Sequence, residues 1–260
     1  MCIPLCRYDL CYQSKVFSEE YAPDIEWVPM ADKIVKGGTG YGLDNALPYA
    51  IEHTYPDYSL YGITDTAYGF LTRGCPRDCS FCCITEKEGA TSRRVAELDE
   101  FWNGQRNIVL MDANLLACGD HLELMEQLAR SGARIDVNQG FDIRLCDDDE
   151  IDAINRMKIK NIHFSWDNPF DNLEDRFLHY TERATNRPHG RFGTVYVLTN
   201  RGSTFEQDMY RVEVLDALGF APYIMVYDKP NADRQHRHFQ RWVNNSKLFR
   251  SCTWDEYWGR

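Results

Sequence analysis

The chain has 260 residues, with 29 Lys plus Arg against 40 Asp plus Glu and a net charge of −11. Its 15 Tyr, 13 Phe and 6 Trp can bury a sizeable core, which excludes disorder as the main state. No stretch approaches the ~20 apolar residues of a membrane span, and the acidic balance argues against nucleic-acid binding through bulk charge, leaving only a local basic groove open.

The first residues, MCIPLCRYDLCYQSK, contain no apolar run of the signal-peptide kind. We therefore expect a cytoplasmic protein with no membrane partner. The ten cysteines stand at 2, 6, 11, 75, 79, 82, 83, 118, 146 and 252. In a reducing compartment disulfides are rare, and clustered cysteines are more often metal or cluster ligands. Cys2, Cys6 and Cys11 show no ligand spacing and predict no cluster of their own. Residues 12–17 and 32–38 read as strands. GGTGYG (37–42) has Leu43 where a G-x-G-x-x-G loop needs glycine, so it reads as a turn rather than a phosphate cradle.

Short β-branched apolar runs then recur at 67–72, 107–111, 134–138, 161–166, 194–199 and 222–227. Each suits a strand buried within a parallel sheet. Helical patterns lie between them. Roughly residues 94–102 predict a helix after the first strand. Asp120 and Asp147 read as N-caps, Leu173, Phe177 and Tyr180 form a stripe, and Ser203 with Glu206 reads as a capping box. Six strand–helix units predict an open six-stranded (β/α)6 partial TIM barrel or a doubly wound sheet, with the active site at the C-terminal strand ends. Residues 229–260 predict a helical extension with a locally basic face, read as a solvated surface.

The first strand runs into Arg73-Gly74-Cys75-Pro76-Arg77-Asp78-Cys79-Ser80-Phe81-Cys82. Three thiolates at C-x3-C-x2-C spacing on one tight loop can hold three irons of a cubane and leave the fourth open to a substrate or cofactor. A structural zinc site needs four ligands, usually from two knuckles, and no second C-x2-C exists. A non-catalytic iron–sulfur or zinc module is the competing class. Adjacent Cys83 reads as a buried thiol.

C-x3-C-x-aromatic-C after the first of six strand–helix units resembles the radical S-adenosylmethionine (radical SAM) superfamily. The resemblance spans roughly residues 60–228. GFLTRGCPRDCSFC is similar to the branch with methylthiotransferases and cobalamin-associated enzymes, and the wider chain resembles radical SAM proteins of bacteria and their phages. The resemblance implies a [4Fe–4S] cluster on Cys75, Cys79 and Cys82. It also implies SAM on the open iron, reductive cleavage of SAM to a 5′-deoxyadenosyl radical, and hydrogen abstraction from an unknown substrate. A protein reductant such as flavodoxin or ferredoxin is implied as partner. A methylthiotransferase-like modifier of RNA or protein is the runner-up activity.

The resemblance places Phe81 near the adenine. It puts Asp112 and Asn114 where the superfamily has a Gly-Gly-Glu segment, from which this sequence departs; helix capping is the rival role for Asp112. Gln139, Asp142, Arg144, Asp167, Thr199 and Asn200 follow later strands and are expected to line the SAM pocket. The expected division is 1–64 as a remnant of a Rossmann-like domain, 65–228 as the core and 229–260 as the extension. Cobalamin is not expected, because no Asp-x-His-x-x-Gly motif occurs and residues 12–42 supply only part of a cobalamin-type sheet.

Overall fold

The computed structural model describes residues 7–24, 31–45, 47–185, 188–189 and 192–259. Cys2 and Cys6 fall outside these. Strands β1 (Tyr8–Ser14) and β2 (Ala31–Gly37) pair in parallel as a separate two-stranded sheet. Both carry exposed side chains along their length. The short helix α1 (Tyr49–Glu52) follows. The segment around it is tied to the core by His53 Nδ1 and Glu100 at 2.6 Å and by the Tyr58 hydroxyl, which donates to the Phe101 carbonyl at 2.8 Å.

The main sheet begins with β3 (Thr66–Gly69). A two-residue strand β4 (Thr72–Arg73) pairs antiparallel with β5 (Arg93–Arg94), and α2 (Ile84–Glu88) lies between them. There follow β6 (Asn107–Leu110), α3 (His121–Ser131), β7 (Arg134–Val137), α4 (Asp148–Arg156) and β8 (Lys158–Ser165). Next come α5 (Glu174–Arg183), β9 (Gly193–Thr199), α6 (Phe205–Ala217) and β10 (Ala221–Val226). The chain closes with α7 (Arg234–Asn244), α8 (Ser246–Ser251) and α9 (Trp254–Trp258).

The sheet order is β3-β6-β7-β8-β9-β10, every neighbour parallel. The order is strictly sequential, so the sheet has none of the strand-order reversal of a doubly wound fold. Alternation along each strand sorts side chains to two faces. Ile108, Leu110, Ile135, Val137, Ile162, Phe164, Val195, Val197 and Ile224 join one core with Leu124, Leu128, Ile151, Ile154, Phe177, Val212, Leu215 and Phe239 of the helices. The opposite face is half exposed.

The six expected strands all form, within a few residues of their expected bounds. The helix expected over 94–102 does not: β5 and a 3-10 turn at Leu98–Glu100 stand there instead. Arg94 is held in extended pairing with Thr72, which overrides the local helical pattern. The cap of α6 is Thr204, boxed with Gln207, one residue later than Ser203 with Glu206. Asp147 caps α4 through a capping box with Glu150, as its spacing predicts. Asp120 precedes α3 without a side-chain cap hydrogen bond.

Candidate functional site

The cysteine loop leaves β4 at the C-terminal end of the sheet. Its backbone dictates its residue types. Gly74 has φ of +91°, and an added Cβ would lie 2.2 Å from the Thr91 carbonyl oxygen. Only glycine fits there. The nearly buried Glu88 carboxylate accepts from the Gly74 amide at 3.1 Å and from Arg73 at 3.0 Å. The Cys75 amide donates to the Gly89 carbonyl at 3.1 Å, and the Cys82 amide to the Cys79 carbonyl at 2.8 Å. Glu88 was not singled out in the sequence, because a lone Glu at the end of a short helix carries no motif.

The four thiols of this stretch are free. Cys75 and Cys79 are half-buried and Cys82 is exposed. Burial pushes the Cys79 thiol up, Arg77 opposes this, and Asp167, Cys82 and Cys75 add to it. Among the described residues no three His, Cys, Asp or Glu side chains converge as a metal-ion site. Cys83 is exposed, not buried as expected, because it stands at the N-terminal cap of α2 on the outside of the loop.

A polar ring closes on the loop from the strand tips. The buried Asn114 donates its amide to Asp142 at 3.2 Å and lies 3.7 Å from the Cys75 sulfur. Asp142 accepts from Arg144 Nε at 2.7 Å, and Arg144 donates to Asp171 at 3.0 Å. Asp171 meets Arg77, inside the cysteine motif, at 3.5 Å. Thus Asn114, Asp142 and Arg144 come together beside Cys75. Asp171 completes the ring and was missed, since it sits in an irregular loop. Asn114 Oδ1 is buried without a partner.

Other expected pocket residues do different work. Asp112 is fully buried, and its carboxylate accepts from the Leu71 amide, the Thr72 amide and the Thr72 hydroxyl. It fastens the turn between β3 and β4 and is committed to that turn, neither helix cap nor open pocket wall. Gln139 lies exposed in the turn after β7. Asp167 is hydrogen-bonded to Ser165, and burial raises its carboxyl. Thr199 is fully buried with its hydroxyl unpartnered. Asn200 adopts φ of +60° and donates to the Tyr227 carbonyl at 3.0 Å, tying β9 to β10.

Phe81 is 42% exposed and lies 5.4 Å from the Arg201 guanidinium, which also stands 4.5 Å over Tyr227. Arg201 donates to the Ser80 hydroxyl at 2.5 Å. This arginine crosses from the β9 end of the sheet to the cysteine loop near its β3 edge. Only the folded chain shows it, since 121 residues separate the partners. A buried Arg211 underlies the same tips, donating to the carbonyls of Trp166 at 2.5 Å and Leu198 at 3.0 Å.

The site therefore has three soft thiol donors on one loop, a polar ring at one side and a cation–aromatic bridge at the other. The donor set fits an iron–sulfur cluster, and Asn114, beside Cys75 with an unpartnered oxygen, fits a polar ligand next to it.

No protein-family model matches the sequence. The "CDK5RAP1-like protein" of Oryza sativa subsp. japonica is 27% identical over 149 residues, 54% of this chain and 22% of the rice protein. Among solved structures, the radical S-adenosylmethionine methyltransferase TsrM from Kitasatospora setae, with cobalamin and a [4Fe-4S] cluster bound, matches with a TM-score of 0.50 and 15% identity. That match covers 62% of this chain and 36% of TsrM. The chain thus spans about a fifth of the rice protein and about a third of TsrM. With the cysteine spacing and the sequential parallel sheet, these likenesses relate the chain to the radical SAM superfamily.

Proposed function

We propose that the chain is a radical SAM enzyme on a partial TIM barrel, with residues 65–228 as its core. The observation that carries this reading is the polar ring from Asn114 to Asp171, which closes on the cysteine loop at the C-terminal strand ends. Cys75, Cys79 and Cys82 hold the [4Fe–4S] cluster. When bound, the cluster and SAM supply one-electron reductive cleavage to methionine and a 5′-deoxyadenosyl radical.

The chain's own residues position and shield. Glu88 and Gly74 set the entry of the loop. Asn114 faces Cys75, and its free acceptor oxygen takes a donor from the bound cofactor. Arg144, balanced by Asp142 and Asp171, presents a cation at the mouth. Arg201 braces the loop from the far side through Phe81 and Ser80. Electrons come from a small redox protein of the flavodoxin or ferredoxin kind. Residues 1–64 form the Rossmann-like remnant and 229–260 the extension.

The test is anaerobic reconstitution with iron and sulfide, followed by dithionite and SAM. Absorbance near ~400 nm and formation of 5′-deoxyadenosine are expected. Cys75→Ala, Cys79→Ala and Cys82→Ala each abolish both, and Cys83→Ala keeps both. Stoichiometric zinc in place of iron, or equal loss on Cys83→Ala, overturns the assignment.

Methyl or methylthio transfer is the second reading, favoured by the TsrM likeness. TsrM carries cobalamin. We propose that the described residues of this chain do not hold cobalamin by themselves, since β1 and β2 pair only with each other. Equilibrium dialysis against hydroxocobalamin checks this, and stoichiometric retention reopens the methyl-transfer reading.

A further inference from the structure

The helix α6 and the end of the C-terminal extension enclose a groove of about 880 Å³, whose lining includes no residue of the cysteine loop. One wall is α6 and the other runs from Phe249 through the first turn of α9. The floor is apolar. Phe205 stands 5.2 Å from Trp254, Trp254 5.7 Å from Trp242 and Trp242 4.8 Å from Phe249, between ring centroids. Phe205, Met209 and Phe249 are only half-buried, so apolar surface stays open to solvent along the groove. Phe205, Met209, Val212 and Asp216 follow at helical spacing on α6. Their stripe is about 16 Å long, or three turns.

The rim is acidic. Glu206, Glu213 and Asp216 stand on one wall, Asp255 and Glu256 on the other, all exposed, and Arg250 is the one cation in the lining. None of the five carboxylates is in an ion pair among the described residues. Around α4 the chain does otherwise: Asp147 meets Arg176, Asp148 meets His179 and Arg183, and Asp152 meets Arg183. Along the groove the chain supplies no such counter-charge. An open apolar strip rimmed by polar groups marks an interaction surface, and the sign of the rim selects the partner.

We propose that this groove docks a basic amphipathic helix of a partner protein, with the helix's apolar face on Phe205, Met209 and Phe249 and its Lys or Arg side chains on the two acidic walls. Charge complementarity selects that occupant. A second copy of this chain, at a net charge of −11, brings mostly like charge, and an uncharged ligand leaves the rim without counter-ions. The three-turn stripe matches three turns of a docked helix in length. The groove and its occupant do not depend on the enzyme reading above.

The experiment titrates the full, cluster-free chain into a fluorescein-labelled peptide of about 12 residues, Leu and Lys placed as one apolar and one basic helical face, and reads anisotropy. One control peptide carries Glu for Lys, and another has the same composition in scrambled order. Saturable binding is expected, weakened by salt, with both controls at least about tenfold weaker. Glu213→Lys with Asp216→Lys weakens binding about tenfold or more. Met209→Gln weakens it about fivefold through the lost apolar contact. Asp99→Lys with Asp149→Lys, the same charge change at exposed sites outside the groove, leaves it unchanged. The reversed carboxylates are exposed, so these variants keep the fold, which circular dichroism verifies. No saturation at millimolar concentration, equal binding of either control peptide, or equal loss from the Asp99 and Asp149 variant overturns the proposal. So does an unchanged affinity in the Glu213 and Asp216 variant. Self-association of the chain in sedimentation, relieved by the Glu213 and Asp216 variant, assigns the groove to a second copy and overturns it as well.

Discussion

At the scale of single residues, Asp112 separates position from role. Its place after the second strand of the main sheet suggested a SAM contact, yet its carboxylate is committed to Leu71 and Thr72. Asp112→Ala strands three buried donors. We expect a loss of at least about 2 kcal/mol in urea unfolding of the cluster-free chain. The same carboxyl has a pH signature. Burial raises it above the ordinary 3.8, with the Thr72 and Leu71 hydrogen bonds opposing. The neutral acid is therefore favoured more in the folded chain than in the unfolded one. Its contribution is full below pH 3.8 and is lost as pH rises through the folded value. Asp112→Asn removes that slope. Parallel stability profiles of wild type and Asp112→Asn from pH 3.8 upward would refute this assignment.

At the scale of elements, the cysteine loop is a segment held by others. Its sequence encodes the turn, through Gly74, and the cysteine spacing. It does not encode the clamps at Glu88, Arg77–Asp171 and Arg201–Ser80, because each partner lies in an element without a motif. Arg201→Ala removes the bridge to Ser80 and Phe81 while leaving the sheet intact. Amide hydrogen exchange over residues 75–83 of the cluster-free chain should then quicken about tenfold or more, with the rest of the main sheet unchanged. Unaltered exchange in the loop would show that Arg201 does not fasten it. Capping follows the same logic. The short-range signal placed the α6 start to within one residue, and only the backbone at Thr204, already extended for the cap, decided between Ser203 and Thr204.

At the scale of the whole molecule, the C-terminal extension is joined to the site through a buried charge network. Asp208 and Arg211 of α6 are both essentially inaccessible and paired, and His236 of α7 lies 3.4 Å from Asp208 and 2.9 Å from Asp233. Arg211 in turn holds the carbonyls at the ends of β8 and β9. Asp208→Ala leaves that guanidinium buried and unpaired, at a cost of about 3–5 kcal/mol. Urea unfolding should show the loss, and Asp208→Ala with Arg211→Met should recover part of it. A single variant as stable as wild type would mean that the pair carries no such weight. Among the described residues, no helix is long and apolar enough to cross a membrane.

The sequence by itself determined what repeats or is local. Six β-branched runs alternating with helical stripes sufficed for a parallel sheet, because strand and helix periods are written in consecutive residues. The three-cysteine spacing is written in consecutive residues in the same way. Tertiary structure alone decided which polar residues meet. Asp142 and Arg144 reach the loop while Gln139, from the same turn region, stays exposed; Asp112 is diverted to the backbone; Arg201, Asp171 and Glu88 join the site with no local mark. Side chains at strand tips are sorted by the direction in which each chain leaves the sheet. That direction is set by long-range packing and buried hydrogen bonds, which no window of neighbouring residues contains.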